Sequence, residues 1–439
     1  IYTYDPASQV TNILHKIVAT SAQINKADYV YNNVGNRTSL TDRRGAQAFG
    51  YDTLDRLTSA SHPLLGTPQS FAYDPVGNRT TSGSVHNVAN QLTADASFSY
   101  QYDDNGNLTR KTLLASGNHT DYTYDAENRL TKVEEFTVGN PVPVATSTYR
   151  YDGLGRRIEK VGNGITRRYV YDGEDILLEY DGANVLQARY THGPGIDEPI
   201  AMTRGGSTFF YHQDGLGSVT ELTDSTGSTG KTYSYDAYGN ILDQTGTVEN
   251  PYTYTGREFD AESGLYYYRA RYYDPVIGRF ILEDPAGFVD GPNIYSYVRN
   301  NPQMNIDPLG LQLCNGRWRW LGSRRTAWLF FPTCECAYRC EPCEGQSFFS
   351  ADPFAPDHPR TPGSWIFDGG HLGGAGGPPR GGMTVPPAIS SGGPPGKRGF
   401  PGGGMGRPPQ RGAGDVLGQG NFCLCGDPGP QTGCGCDRR

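Results

Sequence analysis

Tyr151-Asp152-Gly153-Leu154-Gly155-Arg156-Arg157 carries the pattern from which the fold of residues 1–311 follows. A tyrosine suits a pleated, half-buried strand. The aspartate after it can bond back to the following backbone, and the glycine tolerates the positive φ of a tight turn. The heptapeptide therefore reads as strand, turn, strand. The same Tyr-Asp pair stands at Tyr51-Asp52, Tyr73-Asp74, Tyr102-Asp103, Tyr124-Asp125 and Tyr171-Asp172, at closely similar intervals. A degenerate copy, Tyr31-Asn32, precedes the first by a similar interval. Related turns follow several of these pairs, as in Gly35-Asn36-Arg37 and Gly77-Asn78-Arg79. Between them, Tyr122-Thr123-Tyr124 and Arg168-Tyr169-Val170-Tyr171 alternate in the period of a strand, and no segment sustains a helical period. A lone hairpin cannot bury a face, so the units must stack. The expected fold is all-β: one long, twisted antiparallel sheet of hairpins over residues 1–311.

The run Pro302-Gln303-Met304-Asn305-Ile306-Asp307-Pro308-Leu309-Gly310-Leu311 ends this regime. All 9 cysteines and all 4 tryptophans follow it, but only one of 30 tyrosines, Tyr338. A change that sharp marks a boundary between separate parts. Net charge is −8; 13 basic and 9 acidic residues follow Leu311, leaving 25 and 37 before it. A basic excess of that size is too small to argue for nucleic acid, whose place as a partner stays open. No run of 18 apolar residues exists, so no membrane-spanning helix is expected. The chain opens at Ile1 inside a repeat and reads as a fragment.

Residues 190–311 carry denser motifs: Tyr211-His212-Gln213-Asp214-Gly215, Tyr235-Asp236, Gly264-Leu265-Tyr266-Tyr267-Tyr268-Arg269-Ala270-Arg271-Tyr272-Tyr273-Asp274-Pro275, and Glu283-Asp284-Pro285. With the Tyr-Asp units at 1–189, this segment resembles the YD repeats and repeat-associated core of RHS proteins, a group that includes the C component of Tc toxins and teneurins. The resemblance implies a β-sheet spiral around a hollow shell, in a secreted or cell-surface protein. It also implies self-cleavage after the final residue of Pro-x4-Asp-Pro-x-Gly-Leu, here between Leu311 and Gln312. At matching positions the family's autoproteolytic sites carry an arginine and two aspartates, here Arg271, Asp284 and Asp307. The chemistry is sound. Amide hydrolysis needs an activated water and a proton for the leaving nitrogen. Two close carboxylates cannot both ionise, so the pair can serve both needs. Arg271 would orient a carboxylate or stabilise the oxyanion. The spacing of Asp284 and Asp307 suits the two ends of a returning hairpin. The competing reading is that both aspartates only shape Asp-Pro turns. His212 reads as structural, as does the loop Gly193–Pro199, and no phosphate-binding loop, Ser-His-Asp set or HExxH motif is present.

After Leu311 the resemblance stops. A small tip segment is expected at 312–368, a Gly/Pro-rich disordered linker at 369–420 and a cysteine cluster at 421–439. Cys334, Cys336, Cys340 and Cys343 form one group of four; Cys423, Cys425, Cys434 and Cys436 form another. Each could hold a zinc ion or close as disulfides. A chelator would unfold the first kind of tail and a reductant the second. No cofactor is expected for the core. The function that the resemblance implies is a toxin shell that encloses its own C-terminal tip as cargo and frees it as an effector, with an immunity protein or secretion machinery as further partners. The alternative is a surface adhesion protein that binds carbohydrate and carries an inert tail.

Overall fold

The computed structural model describes residues 1–311, together with the backbone of Gly316–Trp328, Phe331–Pro342, Cys423–Leu424 and Asp437–Arg438. The linker at 369–420, Gln312, Cys343, Cys425, Cys434 and Cys436 lie outside the described residues. Cys334, Cys336 and Cys340 fall in a strand, Phe331–Pro342, paired antiparallel with Gly316–Trp328; no such hairpin was expected there.

Residues 1–311 are all-β apart from three single 3₁₀ turns. They form three antiparallel sheets, each with its strands in sequence order. The first has seven strands, β1 (Tyr2–Tyr4) to β7 (Gln69–Ser70). The second has sixteen, β8 (Val85–His86) to β23 (Ile241–Thr245). The third has four, β24 (Glu258–Asp260), β25 (Leu265–Tyr268), β26 (Arg271–Asp274) and β27 (Arg279–Phe280). The single continuous sheet expected from the repeats is therefore broken. Between β7 and β8 only an isolated bridge, Tyr73 to Arg79, survives around the Asp74 turn. Pro75-Val76-Gly77 form that turn, and Thr80-Thr81-Ser82-Gly83 after it lie outside any strand.

One hydrogen-bond scheme builds the turns. A carboxylate or amide Oδ1 accepts the backbone N–H groups two and four residues on, and the residue at the third place adopts positive φ. Among the described residues it occurs at twelve positions: Asp5, Asn32, Asp52, Asp74, Asn87, Asp103, Asp125, Asp152, Asp181, Asp214, Asp224 and Asp236. In the Asp152 turn the positive-φ residue is Gly155 (φ 81°). Several of these turns lack the preceding tyrosine, so the Asp or Asn makes the turn.

The tyrosine does something else. Its hydroxyl reaches back to the previous unit and donates to the carbonyl five residues after that unit's turn Asp or Asn. Tyr51 bonds Arg37, Tyr73 bonds Leu57, Tyr124 bonds Leu108, Tyr151 bonds Leu130, Tyr171 bonds Arg157 and Tyr235 bonds Val219. This ties each turn to its neighbour. Tyr124→Phe should remove the 3.0 Å bond to Leu108 and, with the carbonyl left poorly satisfied, lower the unfolding free energy by roughly 1 kcal/mol. A denaturant titration that finds no change would contradict this role.

The four-stranded sheet lies inside the wrap. All residues of β25 and β26 are buried. Its alternate residues serve two cores, as the pleat requires. Tyr266, Tyr268 and Tyr273 join the cluster of Tyr169, Tyr190, Leu222 and Tyr235. Leu265, Tyr267 and Tyr272 join that of Tyr100, Tyr122, Leu130 and Tyr149. The seven-stranded sheet packs a third cluster against Tyr238. It meets the second sheet through Asn25 to Thr220 in a strand (3.0 Å) and Arg37 to Gly215 in the Asp214 turn (2.8 Å).

Candidate self-cleavage site

The hairpin of β25 and β26 closes on two turn residues, Arg269 and Ala270, because Tyr268 pairs with Arg271. Arg271 begins β26, so its side chain leaves a rigid, buried element at a fixed angle. Its Nη2 lies 2.9 Å from Asp284 Oδ2 and 3.2 Å from Asp307 Oδ2. Its Nη1 donates to the Ile294 carbonyl at 3.1 Å and its Nε to the Gly310 carbonyl. The guanidinium lies 3.6 Å over the ring of Phe280. All three charged residues are buried: Arg271 is 1% exposed, Asp284 8% and Asp307 2%. The three residues named from the sequence thus meet in one place. Arg271 touches both carboxylates and the carbonyl before Leu311.

Asp284 and Asp307 are not the ends of a hairpin. The chain between them is irregular, with short turns at Phe288–Asp290 and Val298–Asn300, and Val298, Arg299 and Asn300 all adopt positive φ. Asparagines and prolines leave no alternation there to pair strands. Arg271 brings the two ends together instead.

Burial pushes the Asp284 carboxyl up to about 7; Arg271 and the Ala286 amide oppose the shift, and Asp307 adds to it. Asp307 Oδ1 accepts the Leu311 N–H at 3.0 Å, so one aspartate holds the residue before the expected cut. Gly310 has φ +68°, and a Cβ there would fall 2.3 Å from the Tyr268 carbonyl. Only glycine lets the tail lie this close to the hairpin. Gln312, the other side of the expected cut, lies outside the described residues.

His212 plays no part in this site. It is buried, with Nε2 2.8 Å from Thr223 Oγ1 and its ring edge-on to His15, and burial pushes its pKa down to about 4. The loop Gly193–Pro199, read as structural, supplies Asp197, which pairs with Arg257 and Arg269. These contacts were not visible in the sequence because the partners stand 60 and 72 residues away. Among the described residues no group of His, Cys, Asp and Glu side chains is placed to hold a metal ion, and no helix is long and apolar enough to cross a membrane.

Stacked Asp-turn hairpins wrapped around an internal core sheet, ending at an arginine-bridged aspartate pair, define a YD-repeat protein of the RHS type. Comparison with known proteins agrees. The teneurin YD-shell family model matches residues 3–305, and the chain belongs to that family. It is 38% identical over 291 residues to the tRNA3(Ser)-specific nuclease WapA of Bacillus spizizenii, covering 62% of this chain and 12% of that protein. It is 30% identical over 324 residues to double-stranded DNA deaminase toxin A of Burkholderia cenocepacia, covering 65% of this chain and 22% of that toxin. The crystal structure of TcdB2-TccC3-Cdc42 is similar with a TM-score of 0.58 at 22% identity, covering 71% of this chain and 18% of that one. At that identity the likeness is one of fold. The chain thus spans less than a quarter of the length of each of these relatives.

Proposed function

We propose that this chain is part of a secreted or cell-surface toxin shell that cuts itself between Leu311 and Gln312 and releases residues 312–439 as a variable effector. The observation that carries this is the buried Arg271 guanidinium shared by Asp284 and Asp307, with Asp307 bonded to Leu311. The relatives named as nuclease and toxin support the effector reading. In the proposed chemistry Asp307 accepts a proton from the attacking water. Asp284, the carboxyl held protonated near neutral pH, donates one to the nitrogen of Gln312. The products are a carboxylate at Leu311 and a free amine at Gln312. The tip is the cargo; an immunity protein and a secretion apparatus are the partners this function calls for.

The test is the mass of each fragment from purified full chain: one ending at Leu311, one beginning at Gln312. An intact chain that binds glycans would favour the adhesion reading instead. The rate should also depend on pH in one direction. Asp284 keeps its proton below about 7. As pH rises through that value the acid is lost, so cutting should slow by about tenfold per unit well above it. A rate that climbs from pH 7 to pH 9 would exclude Asp284 as the proton donor.

A further inference from the structure

Three consecutive residues of the β25–β26 hairpin grip three consecutive carbonyls of the tail. Arg269 Nη1 donates to Pro308 O, the Ala270 N–H donates to Leu309 O at 3.2 Å, and Arg271 Nε donates to Gly310 O. The next carbonyl along is that of Leu311. The hairpin therefore acts as a ruler whose first mark is Arg269.

Arg269 is built to hold that mark. It occupies the first position of a two-residue turn with φ +57°, where glycine or asparagine would sit without strain. A long cationic side chain at such a position breaks the local rule, which points to a task for the side chain. The task is visible. Asp197 grips the guanidinium with both oxygens, at 2.9 Å and 3.3 Å, and Nη2 also donates to the Glu174 carbonyl at 3.1 Å. Asp197, 7% exposed, is itself held by Arg257. The bond from Arg269 to Pro308 O falls on the backbone of the tail, so the side chain bears on the tail's register.

We propose that Arg269, braced by Asp197, is a positioning residue that selects which peptide bond is cut. This rests on the self-cleavage reading above. Two measurements separate the failure of one from the failure of the other. In the full chain, Arg269→Ala should slow cutting by about 10- to 100-fold, as loss of alignment does, and should spread the cut to bonds beside Leu311–Gln312 as read by fragment masses. The pH midpoint should stay where Asp284 sets it. Arg269→Lys, which keeps one donor for Pro308, should recover part of the rate and a single cut site. In parallel, the chain is made uncut with Asp284→Asn and its amide hydrogen exchange followed. Adding Arg269→Ala should raise exchange at Leu309, Gly310 and Leu311 by about tenfold or more while the amides of the long sheet keep their protection. Wild-type rate and a single cut site in Arg269→Ala would overturn the proposal, and so would unchanged exchange at 309–311. If wild type does not cut at all, self-cleavage fails, and the exchange result alone decides whether Arg269 holds the tail.

Discussion

Asp284→Asn and Asp307→Asn should each slow self-cleavage by roughly 10³-fold, within the range expected when a general acid or base is removed. Asparagine keeps the shape of the carboxylate and can still meet Arg271, so the buried site is preserved. What it loses is the capacity to exchange a proton. On a denaturing gel, wild type should resolve into two pieces, 1–311 and 312–439, while both variants stay at full length. Thermal melts of the two variants should match wild type, which separates lost chemistry from lost folding. If both cut as fast as wild type, the aspartate pair shapes turns and does no chemistry.

The second large effect concerns stability. Arg157, at the start of β15 (Arg157–Gly162), is 0% exposed. It joins the outer sheet to the inner one through Glu258 Oε2 at 2.7 Å and through Asp260. Lys160 completes the group, 2.8 Å from Asp260 Oδ1 and 2.9 Å from Glu262 Oε1. Burial alone would raise the Asp260 pKa, but Arg157 and Lys160 hold it below the ordinary value. Arg157→Ala should cost about 3–5 kcal/mol, because it takes the 2.7 Å partner from buried Glu258 and leaves buried Asp260 with Lys160 alone. The variant removes one of the two cations that hold the Asp260 pKa down, so folded Asp260 takes up a proton more readily than in wild type. The deficit against wild type should therefore widen as pH rises from 4 to 7. Denaturant titrations at those two pH values measure it. A loss under about 1 kcal/mol, or one that ignores pH, would show that the cluster is not the joint between the sheets. The same cluster accounts for why a tyrosine-rich inner sheet tolerates charge: Glu258, Asp260 and Glu262 each answer a cation from the wall.

Much of this protein is written locally. An aspartate followed three residues later by glycine, asparagine or another residue able to take positive φ makes a turn through bonds between near neighbours, so the hairpin order from Tyr2 to Thr245 can be read off the chain. Arg271, Asp284 and Asp307 could also be named beforehand, because the resemblance to the RHS core implies an arginine and two aspartates at those positions. Other features were not. The run Tyr266-Tyr267-Tyr268 reads as a strand, but no local signal says that both its faces are covered. Tyr254 covers one of them, and on the other Tyr267 packs on its neighbour Tyr272, which meets Tyr149 from a distant unit. The break after Ser70 depended on whether short strands could pair, which neighbouring strands decide.

Local chemistry was enough to set the turns and the antiparallel order, because each rests on bonds between near neighbours; the resemblance to the RHS core singled out the three charged residues. Three features came only with folding: the core sheet lies inside the others, Asp197 braces Arg269, and Arg271 holds the tail at Gly310. Those rest on contacts across 36 to 110 residues, set by how the wrapped sheets close on their contents, and no short stretch of chain contains both partners.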